Sequence, residues 1–437
     1  MRRYWCWTFG AACLLCIGVA LVVRIFLIAN ASSYLRSAIR DYGRGNYESA
    51  LTAANAALLQ SPRLPQASLI AGQAAAKMER VDEALHYLRQ IEFDGSATAI
   101  QGCLLAGRLS FDQGRAAEAE RWYRAVVDQD FYQQEAHTQL AYLLGVEGRC
   151  FEAAPHLLAG IVSGDYTLHH LILLASSDGV IHDEAFVDRC LREVPDDESV
   201  RLGTARTAMK DGRLREALPI LRAIVRHSPQ LLEAQARLGE VLLESDSDLV
   251  STWQGALPTE TADHPEIWAV KGLFCEKRGQ FPESARCYWE VVKRDPNHRR
   301  ANYRLGQVLI RLQRSSEAQS FLQRAELLKE LHLAADQAFR HPESRSWKLK
   351  VATLCESLGR PWESWAWTNT ALAPDSPESD RSLLQTRRKL VLPETPQTLV
   401  DQNPASHIDL SDLPLPAVIA ASRQAVAKLK SSGSSVH

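Results

Sequence analysis

The sequence lacks a charge excess. Its 437 residues carry 50 Lys and Arg against 52 Asp and Glu, a formal net charge of −2, so no basic field exists to draw a nucleic-acid backbone. Paired cysteines are also missing. Of the nine, Cys6, Cys13 and Cys16 sit in the apolar N-terminus, and Cys103, Cys150, Cys190, Cys275, Cys287 and Cys355 are scattered with no CxxC pair. That spacing argues against a zinc ribbon or a disulfide framework, and small buried hydrophobes are the better reading. There is no phosphate loop, no GxSxG elbow, no HExxH and no Rossmann glycine signature. No catalytic residue, cofactor, metal or small-molecule substrate is therefore expected. The densest polar cluster is His169, His170, Asp178, His182 and Asp183, and adjacent residues such as His169 and His170 point to different faces of a helix. Runs of β-branched residues are few, which favours helix over sheet. The chain is also too long for one compact core, so several domains or an extended repeat array are expected.

What is present begins with an apolar N-terminus. Met1-Arg2-Arg3 precedes an uncharged run from Tyr4 to Val23, interrupted by Arg24 and resumed to Ala29. Roughly 20 apolar residues span a bilayer as a helix. Tyr4, Trp5, Trp7 and Phe9 cluster at one end as interfacial aromatics do, and Arg24 can snorkel at the other. Residues 4–30 are predicted to be a transmembrane signal-anchor helix. Ala29-Asn30-Ala31 also has the form of a signal-peptidase site, so removal after Ala31 stays open. The short N-terminal tail favours an extracytoplasmic body, like that of a periplasmic protein, although Arg24, Arg36, Arg40 and Arg44 flank the other side.

Beyond the anchor the sequence repeats. Units begin at Ala31, Pro65, Ile100, Gln134, Tyr166, Glu198, Leu232, Pro265, Arg299 and Arg345, mostly 32 to 35 residues apart. The eighth position reads Ala38, Gly72, Gly107, Ala141, Leu173, Ala205, Gly239, Gly272, Gly306 and Ala352. The twentieth reads Ala50, Ala84, Ala119, Ala153, Ala185, Ala217, Ser251, Ser284, Ala318 and Ser364. Small residues at two fixed sites mark where two antiparallel helices approach most closely. Gly45, Gly114, Gly148, Gly212, Gly279 and Gly359, seven residues after the eighth site, suit a left-handed C-cap. Pro62, Pro229 and Pro296 close their units.

This pattern resembles the tetratricopeptide repeat from about Ala31 to Ala373. The resemblance implies an all-α, right-handed superhelical solenoid of about ten antiparallel helix pairs over 31–375, with first helices lining a concave face where peptides or partner domains dock. Departures are Lys271 in place of leucine, Leu173 at the small site and Gly255 in place of a bulky residue. The units starting at Tyr166 and Leu232 should be the loosest.

By the same resemblance, groove-facing sites lie near positions 2, 5, 6, 9, 12 and 13 of each unit. In the later units these give Arg206, Lys210, Arg237, Lys277, Arg300, Arg304 and Arg311, interspersed with Glu233, Glu240, Glu266 and Glu276. The earlier units give Leu35, Ile39, Leu69, Ile70, Leu104, Leu105 and Phe111. A basic half suited to acidic peptide segments thus follows a more apolar half. If the eighth and twentieth sites face each other, paired positions sum to 28. Cys275 and Cys287 then fall about 9 Å out of register at 1.5 Å per residue, and no disulfide is expected.

The unit from Arg345 is rich in tryptophan. Trp347, Trp362, Trp365 and Trp367 either cap the apolar end of the array or offer an aromatic anchor to a partner. Residues 376–392 read as a capping helix, and 393–437 as a Pro/Ser-rich linker and tail. The acidic-apolar stretch His407–Pro416 is either solvated or a segment that folds back or docks on a partner. Taken together these features predict a membrane-anchored protein–protein interaction scaffold, with a fixed accessory subunit of an envelope biogenesis or secretion complex as the alternative. Its partners would be proteins or peptides, and the lipid bilayer through residues 4–30.

Overall fold

A computed structural model describes residues 30–130, 132–175, 181–245, 247–258, 263–372, 378–391 and 404–416. All but the last residue of the predicted segment 4–30 lies outside them. Among the described residues no helix is long and apolar enough to cross a membrane.

The described residues are helical, with no strand among them. The order is α1 (30–43), α2 (Tyr47–Gln60), α3 (Pro65–Lys77), α4 (Val81–Leu88), α5 (Ala97–Asp112), α6 (Ala116–Gln129), α7 (Gln134–Val146), α8 (Cys150–Ser163), α9 (Leu168–Ala175) and α10 (Glu184–Glu193). There follow α11 (Glu198–Lys210), α12 (Leu214–His227), α13 (Leu232–Ser245), α14 (Ser247–Gly255), α15 (Pro265–Lys277), α16 (Phe281–Arg294), α17 (Arg299–Arg311), α18 (Ser315–Arg340), α19 (Arg345–Ser357), α20 (Pro361–Ala371) and α21 (Glu378–Val391). Each odd-numbered helix from α1 to α19 is the first of a pair and starts within three residues of a unit boundary read from the sequence.

Local chemistry sets these limits. Ser96 Oγ accepts from Ala99 N at 3.3 Å to open α5, and Asp197 accepts from Ser199 N and Val200 N to open α11, both N-caps that satisfy orphan amides. Proline occupies the first turn of α3, α15, α16 and α20, where its missing N–H costs nothing. Among the described residues, eight first helices end where the fifteenth residue turns left-handed. Gly45, Gly114, Gly148, Gly212, Gly279 and Gly359 do so, and Glu79 and Gln313 do so without being glycine, at φ 61° and 62°. The next amide then reaches back, as when Gln280 N donates to Cys275 O and Arg314 N to Leu309 O, the Schellman closure.

The small eighth site receives a large side chain from the second helix. A β-carbon on Gly107 would lie 2.7 Å from Tyr123 Cε1, one on Gly272 2.7 Å from Tyr288 Cε1, and one on Gly239 2.6 Å from Trp253 Cζ2. The twentieth residue touches the same place through backbone, Ser284 Oγ donating to Gly272 O at 2.9 Å. This corrects the register. In the units of Gly107 and Gly272 the closest side chain comes from position 24, a sum of 32 rather than 28, and in the unit of Gly239 it comes from position 22. In the Gly272 unit Cys275 and Cys287 are then only about 3 Å out of step. The neighbouring Cys287 thiol lowers Cys275, while burial and then the Cys275 thiol raise Cys287. Both remain free thiols.

The described helices form two compact units. The first holds the described residues up to Ala136 with Asp188–Pro195, and the second holds His137–Val187 with the described residues from Asp196 onward. In the first, Leu69, Leu85, Leu88 and Ala106 make a small core, and Arg115 ties Asp82 to Glu193 at 2.7 and 2.9 Å.

In the second unit α8 and α9 pack on α18 and α20. One core joins Ile161, Leu171 and Ala175 to Leu331, Ala334, Val351 and Trp367. Arg360 Nη2 donates to Leu174 O at 2.8 Å, and Asn369 Nδ2 to Tyr166 Oη at 2.9 Å. A plain solenoid brings each repeat against its neighbours alone, so this long-range contact is an addition to the repeat pattern. Helix α18 runs unbroken for 26 residues, which supplies the extra surface.

Candidate protein-interaction surface

In the first unit, α1, α3 and α5 lie side by side as first helices and leave a cavity of about 390 Å³, lined by Tyr42, Gln73, Ala76, Lys77, Gln101, Leu104, Leu105 and Arg108. Every lining residue falls at position 2, 5, 6, 9, 12 or 13 of its unit. Helix periodicity explains this. Positions 4, 7, 8 and 11 turn toward the second helix, so the complementary stripe is left facing outward. The cavity mixes an apolar floor, Leu104 and Leu105, with a rim of Gln73, Gln101 and the exposed Lys77. Arg108 is held against the Glu135 carboxylate. Ile39 and Tyr34 on α1 are 50% and 44% exposed, so apolar surface continues past the rim.

The second unit's first-helix stripe is different in kind. Arg206 donates to Glu233 at 2.9 Å, and Arg237 reaches Glu233 at 2.7 Å, Glu240 at 2.7 Å and Glu266 at 3.2 Å. Arg300 reaches Glu240 at 3.3 Å and Arg304 reaches Glu276 at 3.0 Å, where Tyr288 Oη also donates. Lys277 Nζ donates to the Leu243 carbonyl at 2.8 Å. The Arg311 guanidinium lies 5.0 Å over the Phe281 ring. Lys210 is exposed at the end of α11. The basic residues singled out from the sequence therefore share one stripe, but their neighbours neutralise most of them. Arg206, Arg237 and Glu233 are buried. Burial pushes the Glu233 carboxyl up, but Arg237, the His264 hydrogen bond and Arg206 outweigh it and hold it at about 2.

The tryptophans are placed against α8 and α9. Trp367 is fully buried, and Trp347, Trp362 and Trp365 pack partly buried on the same core. Trp365 meets Tyr166 edge-on at 6.1 Å and Trp362 at 6.3 Å. The His169 cluster does not converge. His170 sits in a local turn with Thr167, Asp183 accepts from Tyr142 Oη at 2.7 Å and caps α10 through Phe186 N, and Asp178 lies outside the described residues. Among the described residues no group of three His, Cys, Asp or Glu could hold a metal ion.

One recurring device was readable in the sequence but not singled out. Position 16 is arginine and position 19 glutamate in many units. Arg149–Glu152 pairs at 2.7 Å, Arg213–Glu216 at 2.5 Å, Arg314–Glu317 at 2.6 Å, and Arg360–Glu363 closely. The pair brackets the first turn of each second helix, where a carboxylate also meets the positive end of the helix dipole.

A family model described as "Tetratricopeptide repeat" matches residues 35–98 and 276–337. These two stretches carry tetratricopeptide repeats, and they cover the α1–α4 region and α16–α18. Solved structures similar to the chain include the TPR domain of P58(IPK), with 17% identity over 83% of this chain and 98% of that one and a TM-score of 0.26. The APC/C hetero-tetramer Cut9–Hcn1 shares 15% identity over 89% and 90%, with a TM-score of 0.32. Yeast Tom70 shares 12% over 86% and 92%, with a TM-score of 0.29. Such TM-scores record poor global superposition, so the repeat assignment stands on the matched residues and the helix-pair geometry. No curated protein matches the chain. Tetratricopeptide repeats point to a protein–protein interaction scaffold, and their fold is typically non-catalytic.

Proposed function

We propose that the chain is a membrane-anchored scaffold that binds partner proteins or peptides through its first-helix face. The observation that carries this reading is the cavity on α1, α3 and α5, whose lining residues fall without exception on the outward stripe of the repeat. A concave site with an apolar floor and a few polar groups is the usual form of a recognition pocket. The occupant proposed here is an extended segment or helix that places an apolar side chain over Leu104 and Leu105 and an acceptor near Lys77. In the second unit the proposed contacts for an acidic segment are Lys210 and Arg311, which have no carboxylate partner among the described residues. The other cations of the set would have to exchange an internal partner for an external one.

The anchor is proposed from the apolar run at 4–30, with the body on the extracytoplasmic side. Fractionation tests it. The intact chain should stay in the membrane pellet through alkaline extraction, and a form starting after Ala31 should not. Binding is tested by purification from native membranes of the wild type and of Leu105→Glu. The reading expects specific partners on the wild type to be lost from the variant at unchanged helix content. Identical recovery on both would remove the first-unit site. A stable stoichiometric complex would favour the alternative, an accessory subunit of an envelope machine, and several weak clients would favour the scaffold.

A further inference from the structure

The segment 404–416 is docked on the second-helix side of α16, away from the first-helix stripe. It opens with a single 3₁₀ turn at Pro404–Ser406. Ala405 and Leu410 are buried in the core formed by Trp289, Val292, Leu309 and Phe321, and Ile408, Leu413 and Leu415 pack at its edge. The polar contacts are mostly to the segment's main chain. Trp289 Nε1 donates to Ile408 O at 2.8 Å. Arg286 Nη1 donates to Ser411 O at 2.7 Å, Leu413 O at 3.3 Å and Leu410 O at 3.4 Å. Asp412 accepts from Arg314 at 3.0 Å. The donors are fixed in advance. Glu290 holds the back of the Arg286 guanidinium at 3.1 Å, and Arg286 and Lys293 lie over the Trp289 ring at 5.0 and 4.3 Å.

The repeat does not need these residues. Trp289 stands at position 25 of its unit, where six other units place Asn55, Arg89, Arg124, Arg222, Gln323 and Asn369 and three place Leu158, Cys190 and Ala256, none of them aromatic. A tryptophan at so outward a position is buried because the segment covers it. The seat reads carbonyls and two apolar side chains, with an acidic residue beside Arg314. That is recognition of a class of peptide rather than of one chain.

We propose that the outer face of α16, with Arg286, Trp289 and Arg314, is a second peptide-binding site for extended acidic-apolar segments. The chain's own 404–416 segment occupies it as an intramolecular ligand that such a partner displaces. The site is independent of the cavity on α1, α3 and α5. The polar side chains of the segment, Ser406, His407, Asp409, Ser411 and Asp412, stay exposed. Its occupancy is that of a ligand carried on the same chain, for which effective concentrations are on the order of millimolar. A free peptide should therefore compete poorly with the intact tail and bind well once the tail is released.

The test uses a fluorescent synthetic peptide of residues 404–416 and the full-length chain. Anisotropy should show saturable binding to the Leu410→Asp chain, apparent binding at least tenfold weaker to the wild type, and none to Leu410→Asp combined with Arg286→Ala. Absence of binding to a folded Leu410→Asp chain, or equal binding to it and to the wild type, overturns the proposal. Should Leu410→Asp fail to fold, a protease site placed within 392–403 of the otherwise unaltered chain is cut instead. The freed tail should then exchange with labelled peptide on dilution. A tail that stays bound through gel filtration without exchanging is a permanent part of the fold, and the proposal fails.

Discussion

The ring of Tyr288 fills the place that a β-carbon on Gly272 would take, with Cε1 only 2.7 Å from it. The two helices α15 and α16 can approach this closely because one residue has no side chain and the other is flat. Tyr288 Oη then reaches past the contact to Glu276 at 2.9 Å. Core density leaves no room for the lost space to be recovered elsewhere. Gly272→Ala should destabilise the second unit by about 1–2 kcal/mol, overpacking outweighing the gain in helix propensity. Gly43→Ala, where nothing lies within 4 Å, should be neutral or stabilising by up to about 1 kcal/mol. Chemical denaturation of the two variants checks the opposite signs.

The left-handed fifteenth position gives a second prediction. Glu79 and Gln313 hold φ 61° and 62°, a conformation that costs a non-glycine residue about 1–2 kcal/mol. Glu79→Gly and Gln313→Gly should each stabilise by about 1 kcal/mol, with part of the relief returned to the unfolded chain as entropy. Gly279→Ala should lose a similar amount. Equal thermal midpoints for all three variants would contradict the assignment.

Buried charge sets an acid limit. Burial raises the Glu233 carboxyl, but Arg237, His264 and Arg206 together depress it to about 2, below its unfolded value of about 4.3. A depressed carboxylate contributes stability above the unfolded pKa, and that contribution is lost as pH falls toward the folded one. Stability should drop between about pH 4.5 and 2, and the drop should shrink in Glu233→Gln. Arg237→Ala leaves the carboxylate buried with fewer partners and should cost about 3–5 kcal/mol at neutral pH. Denaturation midpoints across that pH range check both.

The contact of α8 and α9 with α18 and α20 predicts a coupling that nearest-neighbour stacking does not. Trp367→Ala should cost about 3–5 kcal/mol, and amide exchange should quicken in residues 150–175 as well as in 315–371. Faster exchange confined to 315–371 would show that the two regions do not share a core.

Much of the helix-pair pattern was legible because it rests on local backbone needs. A left-handed turn calls for glycine, and Gly45, Gly114 and Gly279 announce it. A proline in the first turn announces α3 and α15. The small eighth site was also legible, but its partner was not. Tyr123, Trp253 and Tyr288 differ in type and spacing, and only the packed structure shows which ring fills which gap. The basic stripe was visible, yet its neutralisation depends on which glutamate stands opposite each arginine across adjacent units, as Glu233 does between Arg206 and Arg237. The core shared by Leu171 and Trp367 and the seat of Leu410 on Trp289 join residues more than a hundred positions apart, and no periodicity encodes them.

The most direct test of the scaffold reading places a photo-activated crosslinker at Gln101, in the cavity wall, or at Arg121, on the exposed side of α6, in the full-length chain on native membranes. The account predicts a discrete protein adduct from Gln101 that Leu105→Glu abolishes, with no such adduct from Arg121. The same adducts from both positions, or none from Gln101, would contradict it.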